Sequence, residues 1–343
     1  MVKYLVTLSV LFAVNSCKLN KLNTSNQNSE NQIKLQNTKG TAYLSQIEVS
    51  ELKEKLYYFA SDEMEGRATG SKGQQKAAKF LREEYKKLGV FSPIGLDYFQ
   101  KIPKDFFNNR SVADAVNVLG YIKGAETPEE LIIISAHYDH IGVDEKGQIN
   151  NGADDDGSGT IGVLQIAKAF QKAVKDGNRP KRSILFLHVV GEEIGLYGSR
   201  YYVENPVFPI KNTIVDLNID MIGRVDDAHC EQKDYLYIIG SDKLSTELHQ
   251  INEKVKETHS DLVFDYKFNA KNDPNRFYYR SDHYNFAKNK VPVIFYFNGT
   301  HEDYHKITDT ADKIDYSLLK KRCDHIFLTA WELANRKERI KLD

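Results

Sequence analysis

Four short segments consist almost wholly of apolar residues: Leu131 to Ala136, "SILFLHVV" from Ser183, "TIVDLNI" from Thr213 and "VPVIFYF" from Val291. Continuous apolar strands of this length belong in the middle of a mainly parallel sheet, where both faces are buried. The sequence between them supplies the cover. "TIGVLQIAKAFQKAV", Lys243 to Glu257, and Tyr316 to Ala334 all carry apolar residues at helical spacing. Alternating strands and helices imply an α/β fold with three layers, α/β/α, around a mainly parallel mixed sheet. Upstream, "VSELKEKLYYFA" and "GQQKAAKFLREEYKKLG" read as helices, the second capped by Gly89, and "NVLGYIKG" reads as a strand. With 343 residues, 41% of them hydrophobic, the chain can build one large core.

The first residues belong to a different kind of segment. "MVKYLVTLSVLFAVNSC" has an early Lys, an apolar run from Tyr4 to Val14, then small and polar residues. That pattern is a secretory signal spanning residues 1–17. Cys17 follows "VNS", a relaxed lipoprotein box, so the expectation is an exported protein tethered to a membrane by a lipid on Cys17. Residues 18–43 are rich in Asn, Lys, Ser and Gln and read as a disordered tether. The globular domain is expected over residues 44–343. Cys230 and Cys323 could pair in an exported protein or remain free thiols. The net charge is −1 and no long basic run occurs, so nothing points to a nucleic-acid surface.

In open α/β sheets, ligands bind beyond the carboxyl ends of the strands. The residues there are chemically uniform. His137 follows the first apolar run; Glu192 and Glu193 follow the second; Asp220 follows the third; Tyr304 and His305 lie in the loop after the fourth. Between the first two runs lies "NNGADDDGSG", with Asp154, Asp155 and Asp156 side by side in a glycine-rich turn. Three adjacent carboxylates repel one another unless something offsets the charge. Two imidazoles and several carboxylates form a nitrogen and oxygen donor set suited to Zn²⁺. Two neighbouring ions need a shared anion, which the Asp loop can supply, and an unliganded glutamate can act as a base. His188, His249, His259 and His325 sit inside strand or helix patterns and read as structural. His140 and His283 are ambiguous.

The motifs "SAHYDHIG", "NNGADDDGSGT", "GEEIGLYGS", "NIDMIGR", "SDHYNF" and "DYHKITDT", with "EGRATGSKG" upstream, resemble the co-catalytic di-zinc aminopeptidases of metallopeptidase family twenty-eight, over residues 44 to 335. The resemblance implies a zinc exopeptidase fold and two zinc ions. His137 and Asp220 would hold one ion, Glu193 and His305 the other, and Asp155 would bridge them. Glu192 would be general base and then proton donor. Asp139 would hydrogen-bond the far nitrogen of His137, and Tyr304 would polarise the scissile carbonyl. The bond after Asp155 would be cis. Only 17 positions separate Gln100 from Asn117, so the protease-associated domain of many relatives is not expected there. Arg280 could orient substrate, but a surface or inter-loop salt bridge is the first expectation for it. The substrate class implied is peptides with a free N-terminus. The rivals on the same scaffold are glutaminyl cyclase, carboxypeptidase and a non-catalytic binding module.

Overall fold

The computed structural model describes residues 33–36, 38–108 and 112–343. Its centre is one eight-stranded sheet built from β1 (Phe99–Ile102), β2 (Ala115–Ile122), β3 (Thr127–His137), β4 (Arg182–Val189), β5 (Thr213–Ile219), β6 (Tyr235–Ile239), β7 (Val263–Asp265) and β8 (Val293–Phe297). The order across the sheet is β1-β2-β4-β3-β5-β8-β6-β7. β4, β3, β5 and β8 are neighbours and parallel, and they are the four apolar runs. β1 and β2 on one side, and β6 against β8 on the other, are antiparallel.

The unbroken apolar character of the central strands has a direct cause. Successive side chains point to opposite faces. Ile132 and Ile134 of β3, with Ile184 and Phe186 of β4, enter one buried cluster. Leu131 and Ile133, with Leu185 and Leu187, enter another on the opposite face. The helices are α1 (Val49–Phe59), α2 (Lys72–Leu88), α3 (Gly159–Lys175), α4 (Tyr197–Glu204), α5 (Thr246–His259), α6 (His283–Lys288) and α7 (Tyr316–Asn335). α1, α2, α3 and α7 contribute to the first cluster, while Tyr202 of α4 and Phe286 of α6 fill the second. α2 starts where Ser71 Oγ accepts from the Gln74 amide at 3.1 Å. It stops at Gly89, whose φ of 78° is the left-handed conformation expected of a glycine C-cap.

Two departures from the sequence expectations stand out. The ordered fold begins earlier than residue 44. Ile33 and Leu35 pack against the core, Lys39–Gln46 forms a 3-10 helix, and the Tyr43 ring lies 5.4 Å from that of Trp331. A few apolar residues in a polar stretch are enough to fasten it when α7 offers a large aromatic partner. β1, β6, β7, α4 and α6 had no sequence assignment, since each has only three to eight residues. Cys230 is exposed and Cys323 is buried, and both are free thiols. The export signal and Cys17 lie outside the described residues. Among the described residues, no helix is long and apolar enough to cross a membrane.

Candidate metal centre

Because β4, β3, β5 and β8 are adjacent and parallel, their carboxyl ends open on one place. His137 is the last residue of β3, and Asp220 directly follows β5. Glu192 and Glu193 lie three and four residues beyond β4, and His305 sits in the loop after β8. Asp155 arrives from the loop that leads into α3.

Two groups of donors result. His137 Nε2 lies 3.3 Å from Asp155 Oδ1 and 3.6 Å from Asp220 Oδ1. His305 Nε2 lies 3.0 Å from Asp155 Oδ2 and 3.2 Å from Glu193 Oε2. Tetrahedral zinc with bonds of about 2.0–2.1 Å sets its ligand atoms about 3.3–3.4 Å apart, so both groups have the right spacing. Asp155 presents one oxygen to each, as a bridging carboxylate must. Asp155, Asp220 and Glu193 crowd three carboxylates into one largely buried place, a condition that cations relieve. This set of nitrogen and oxygen donors fits zinc. All five proposed ligands are therefore brought together.

The three adjacent aspartates are tolerated because they diverge. Asp154 Oδ1 accepts from the Gly223 amide at 2.7 Å, and its Oδ2 lies 3.1 Å from His301 Nε2. Asp156 Oδ1 accepts from the amides of Gly159 and Met221 at 2.9 and 3.0 Å. Only Asp155 faces the metal groups. Asp309 accepts the amides of Asp154 and Asp155 and fixes the start of the turn. The Asp155–Asp156 peptide is cis, as the resemblance implies. Beneath the loop lies Arg67, fully buried. Its guanidinium donates to the carbonyls of Phe59, Tyr138, Asn151 and Gly152 at 2.7–3.0 Å. Sequence reading found the segment "EGRATG" but not this role. A cation surrounded by carbonyls and carboxylates has no local pattern.

Around the ligands lies a layer of hydrogen bonds. Ser281 Oγ donates to Asp220 Oδ2 at 2.6 Å and accepts from Asn218 Nδ2 at 2.9 Å. Asp139 departs from the expected contact. The nearest partner of His137 Nδ1 is the Asp139 backbone carbonyl at 3.2 Å, while the carboxylate stands 3.8 Å away. That carboxylate is taken up by Thr69 Oγ1 at 2.7 Å and the Glu192 amide at 3.3 Å. Asp139 thus ties the β4 loop to the His137 turn. His140, ambiguous in sequence, joins the second group, with Nδ1 2.8 Å from Glu193 Oε1. His283 is a core histidine against Phe295 and takes no part.

The electrostatics follow from crowding carboxylates in a buried place. Burial pushes Glu192 well above the ordinary carboxylate range, and Glu193 and Asp220 reinforce the shift. For Asp155, burial opposes ionisation, yet His137 and His305 outweigh it and hold the group well below that range. Burial lowers His305, but Asp155 and Glu193 overcome it and raise the imidazole to about 10.

The adjoining cleft is lined by His137, Asp155, Glu192 and Asp220. Phe277, Phe295, Phe297, Tyr304 and Arg280 line it as well. Arg280 makes no ion pair among the described residues, which corrects the salt-bridge expectation. Its guanidinium instead lies 4.8 Å from the Phe277 ring centre.

Comparison with known proteins agrees with this geometry. The model of peptidase family M28 matches residues 117–330, more than half of the chain. A vacuolar membrane protease of Tuber melanosporum is 34% identical over 107 residues, 30% of this chain and 10% of that protein. Aminopeptidase NAALADL1 of Rattus norvegicus is 31% identical over 141 residues, 40% of this chain and 18% of that protein. The chain thus spans less than a quarter of the length of these relatives. The zinc aminopeptidase BSAP of Bacillus subtilis superposes with a TM-score of 0.63 at 15% identity, covering 86% of this chain and 97% of that one. A Bacteroides thetaiotaomicron glutaminyl cyclase reaches 0.64 at 16% identity, covering 85% and 99%. At such identity these likenesses show the fold alone, and the fold is shared by both activities. From the family match, set beside five donors converging at the ends of four parallel strands, it follows that this chain belongs to peptidase family M28.

Proposed function

We propose that the chain is a di-zinc aminopeptidase that removes N-terminal residues from peptides. The observation that carries this reading is the double donor set, with Asp155 shared between two groups, His140 close to the second, and Glu192 in neither. His137 and Asp220 would hold one ion, Glu193 and His305 the other. Two such ions supply Lewis acidity toward the carbonyl and lower the pKa of water. The chain's own residues do the rest. Glu192 takes a proton from the attacking water at its carboxylate. It delivers that proton to the amide nitrogen as the C–O bond forms and the C–N bond breaks. Tyr304, in the cleft wall, donates from its hydroxyl to the oxygen that gains charge. Carboxylate oxygens of Asp155 and Asp220 that line the cleft can accept hydrogen bonds from the substrate ammonium.

Incubation of zinc-loaded protein with a peptide library should shorten peptides from the N-terminus only. Acetylated peptides should be cleaved at least tenfold more slowly. Shortening from the C-terminus would establish a carboxypeptidase, and pyroglutamate formation without hydrolysis a cyclase.

The location we infer is outside the cytoplasm, through the signal at residues 1–17, with a lipid on Cys17. The apolar run from Tyr4 to Val14 and the Asn-rich stretch after Cys17 support it. Cys17→Ser should move the protein from the membrane fraction to the soluble one. Wild-type protein already soluble after export would refute the anchor and leave the catalytic reading untouched.

A further inference from the structure

His140 follows the His137-Tyr138-Asp139 turn by one residue and is 1% exposed. Its ring is tightly confined. A side-chain carbon on Gly152 would fall 2.5 Å from it, so glycine at that position is what admits the ring. On the other side the ring meets that of His305, 5.9 Å away at 70°. Held in this way, Nδ1 reaches Glu193 Oε1 at 2.8 Å. The other oxygen, Glu193 Oε2, is the one that faces His305 Nε2 at 3.2 Å.

Two roles are open to a histidine here, and the geometry separates them. A ligand should keep the roughly 3.3 Å edge of a zinc tetrahedron from its neighbours. The 2.8 Å separation is shorter than every ligand-to-ligand distance in the two groups, 3.0–3.6 Å, and suits a charge-assisted hydrogen bond. Nε2 gives a second argument. It is buried and has no partner. A histidine ligating through Nδ1 carries its proton on Nε2, and such ligands nearly always donate it to a carboxylate or carbonyl. Here that N–H would be a buried unsatisfied donor, which is costly. With the proton on Nδ1, Nε2 holds only a lone pair and Glu193 receives the hydrogen bond.

We propose that His140 is a positioning residue: its Nδ1–H holds Glu193 by Oε1, so that Oε2 alone is aimed at the second metal position. His140 thereby sets the occupancy of the Glu193/His305 position and leaves the His137/Asp220 position unaffected. This rests on the metal-binding reading given above.

The test is zinc affinity, measured by competition with a chromophoric chelator on the full chain. His140→Phe keeps a ring against Gly152 but removes the donor. The expected result is one zinc bound about 10–100-fold more weakly and the other unchanged, the range found when such outer partners are removed. Unchanged affinity for both ions would overturn the inference. So would outright loss of one ion to the extent seen in Glu193→Gln, since that marks a ligand. Should His140→Phe fail to fold, a crystal structure of the zinc-loaded wild type decides. Nδ1 within hydrogen-bond distance of Glu193 Oε1 supports positioning, and Nδ1 about 2.1 Å from zinc refutes it. Wild-type protein that binds no zinc overturns both this inference and the proposed function. Normal wild-type binding with an unaffected variant overturns this inference alone.

Discussion

Glu192 and Glu193 are adjacent and chemically identical, yet the strand end turns them to different work. Glu193 Oε2 faces His305, while Glu192 lies in neither donor group. The same substitution should therefore give two phenotypes. Glu192→Gln should keep both metals and lose about 10²–10⁴-fold in kcat, the usual worth of general acid–base help. Glu193→Gln should lower the zinc-to-protein ratio from near two toward one. Metal analysis and steady-state kinetics on the two variants check this. The reverse assignment of metal loss would mean that the roles are exchanged. Sequence alone could nominate both glutamates, because they follow an apolar run. It could not say that His140 stands beside Glu193, since three residues after a strand end the chain direction is set by packing.

At the scale of elements, the site depends on how the ends of several segments are joined. Arg67 does much of this. Its five-donor fork meets the carbonyl at the end of α1, the one after β3 and two in the metal loop. Burial lowers its pKa to about 10, with Asp309 and Asp155 opposing that shift, so it remains a cation at neutral pH. Removing it orphans the carbonyls of Phe59, Tyr138 and Asn151 and leaves buried carboxylates uncompensated. Arg67→Met should destabilise the protein by about 3–5 kcal/mol. Arg67→Lys should recover only part, since an ammonium cannot reproduce the planar fork. Urea unfolding of both variants gives the measurement, and equal stability of Lys and Arg would refute the geometric account.

At the scale of the whole molecule, the core holds three histidines that never meet the metals. His188, His283 and His325 are fully buried, and burial lowers each to about 3. In the unfolded chain each titrates near 6.5. Between about pH 6.5 and 3 the unfolded state therefore binds more protons than the folded state. Stability is present above the unfolded value and is lost as pH falls, by up to about 1.4 kcal/mol per pH unit for each group. Denaturant unfolding of chelator-treated protein at pH 6 and 5 should show this loss. His188→Gln, which can still meet the Tyr85 hydroxyl, should have a slope shallower by about 1 kcal/mol per pH unit. An unchanged slope would mean that His188 titrates normally in the fold.

What the sequence determined by itself was whatever repeats over a few residues or recurs at strand ends. The four apolar runs specified buried parallel strands, because only strands covered on both faces lack alternation. The residues just past them named His137, Glu192, Glu193 and Asp220, because strand ends point to one side of such a sheet. The family motifs added the middle aspartate as the bridge and assigned the role of last ligand to His305, which the loop after the fourth run had already brought forward. Tertiary structure decided the rest. It set the Asp139 carboxylate on Thr69 and the Glu192 amide, 70 and 53 residues away, and it put Arg67 under a loop 85 residues on. It also brought Ile33 and Tyr43 onto a core that includes α7. Each of these is a contact between segments distant in the chain. Its energy depends on burial and on the direction of a hydrogen bond, and neither quantity exists until the sheet and its helices have packed.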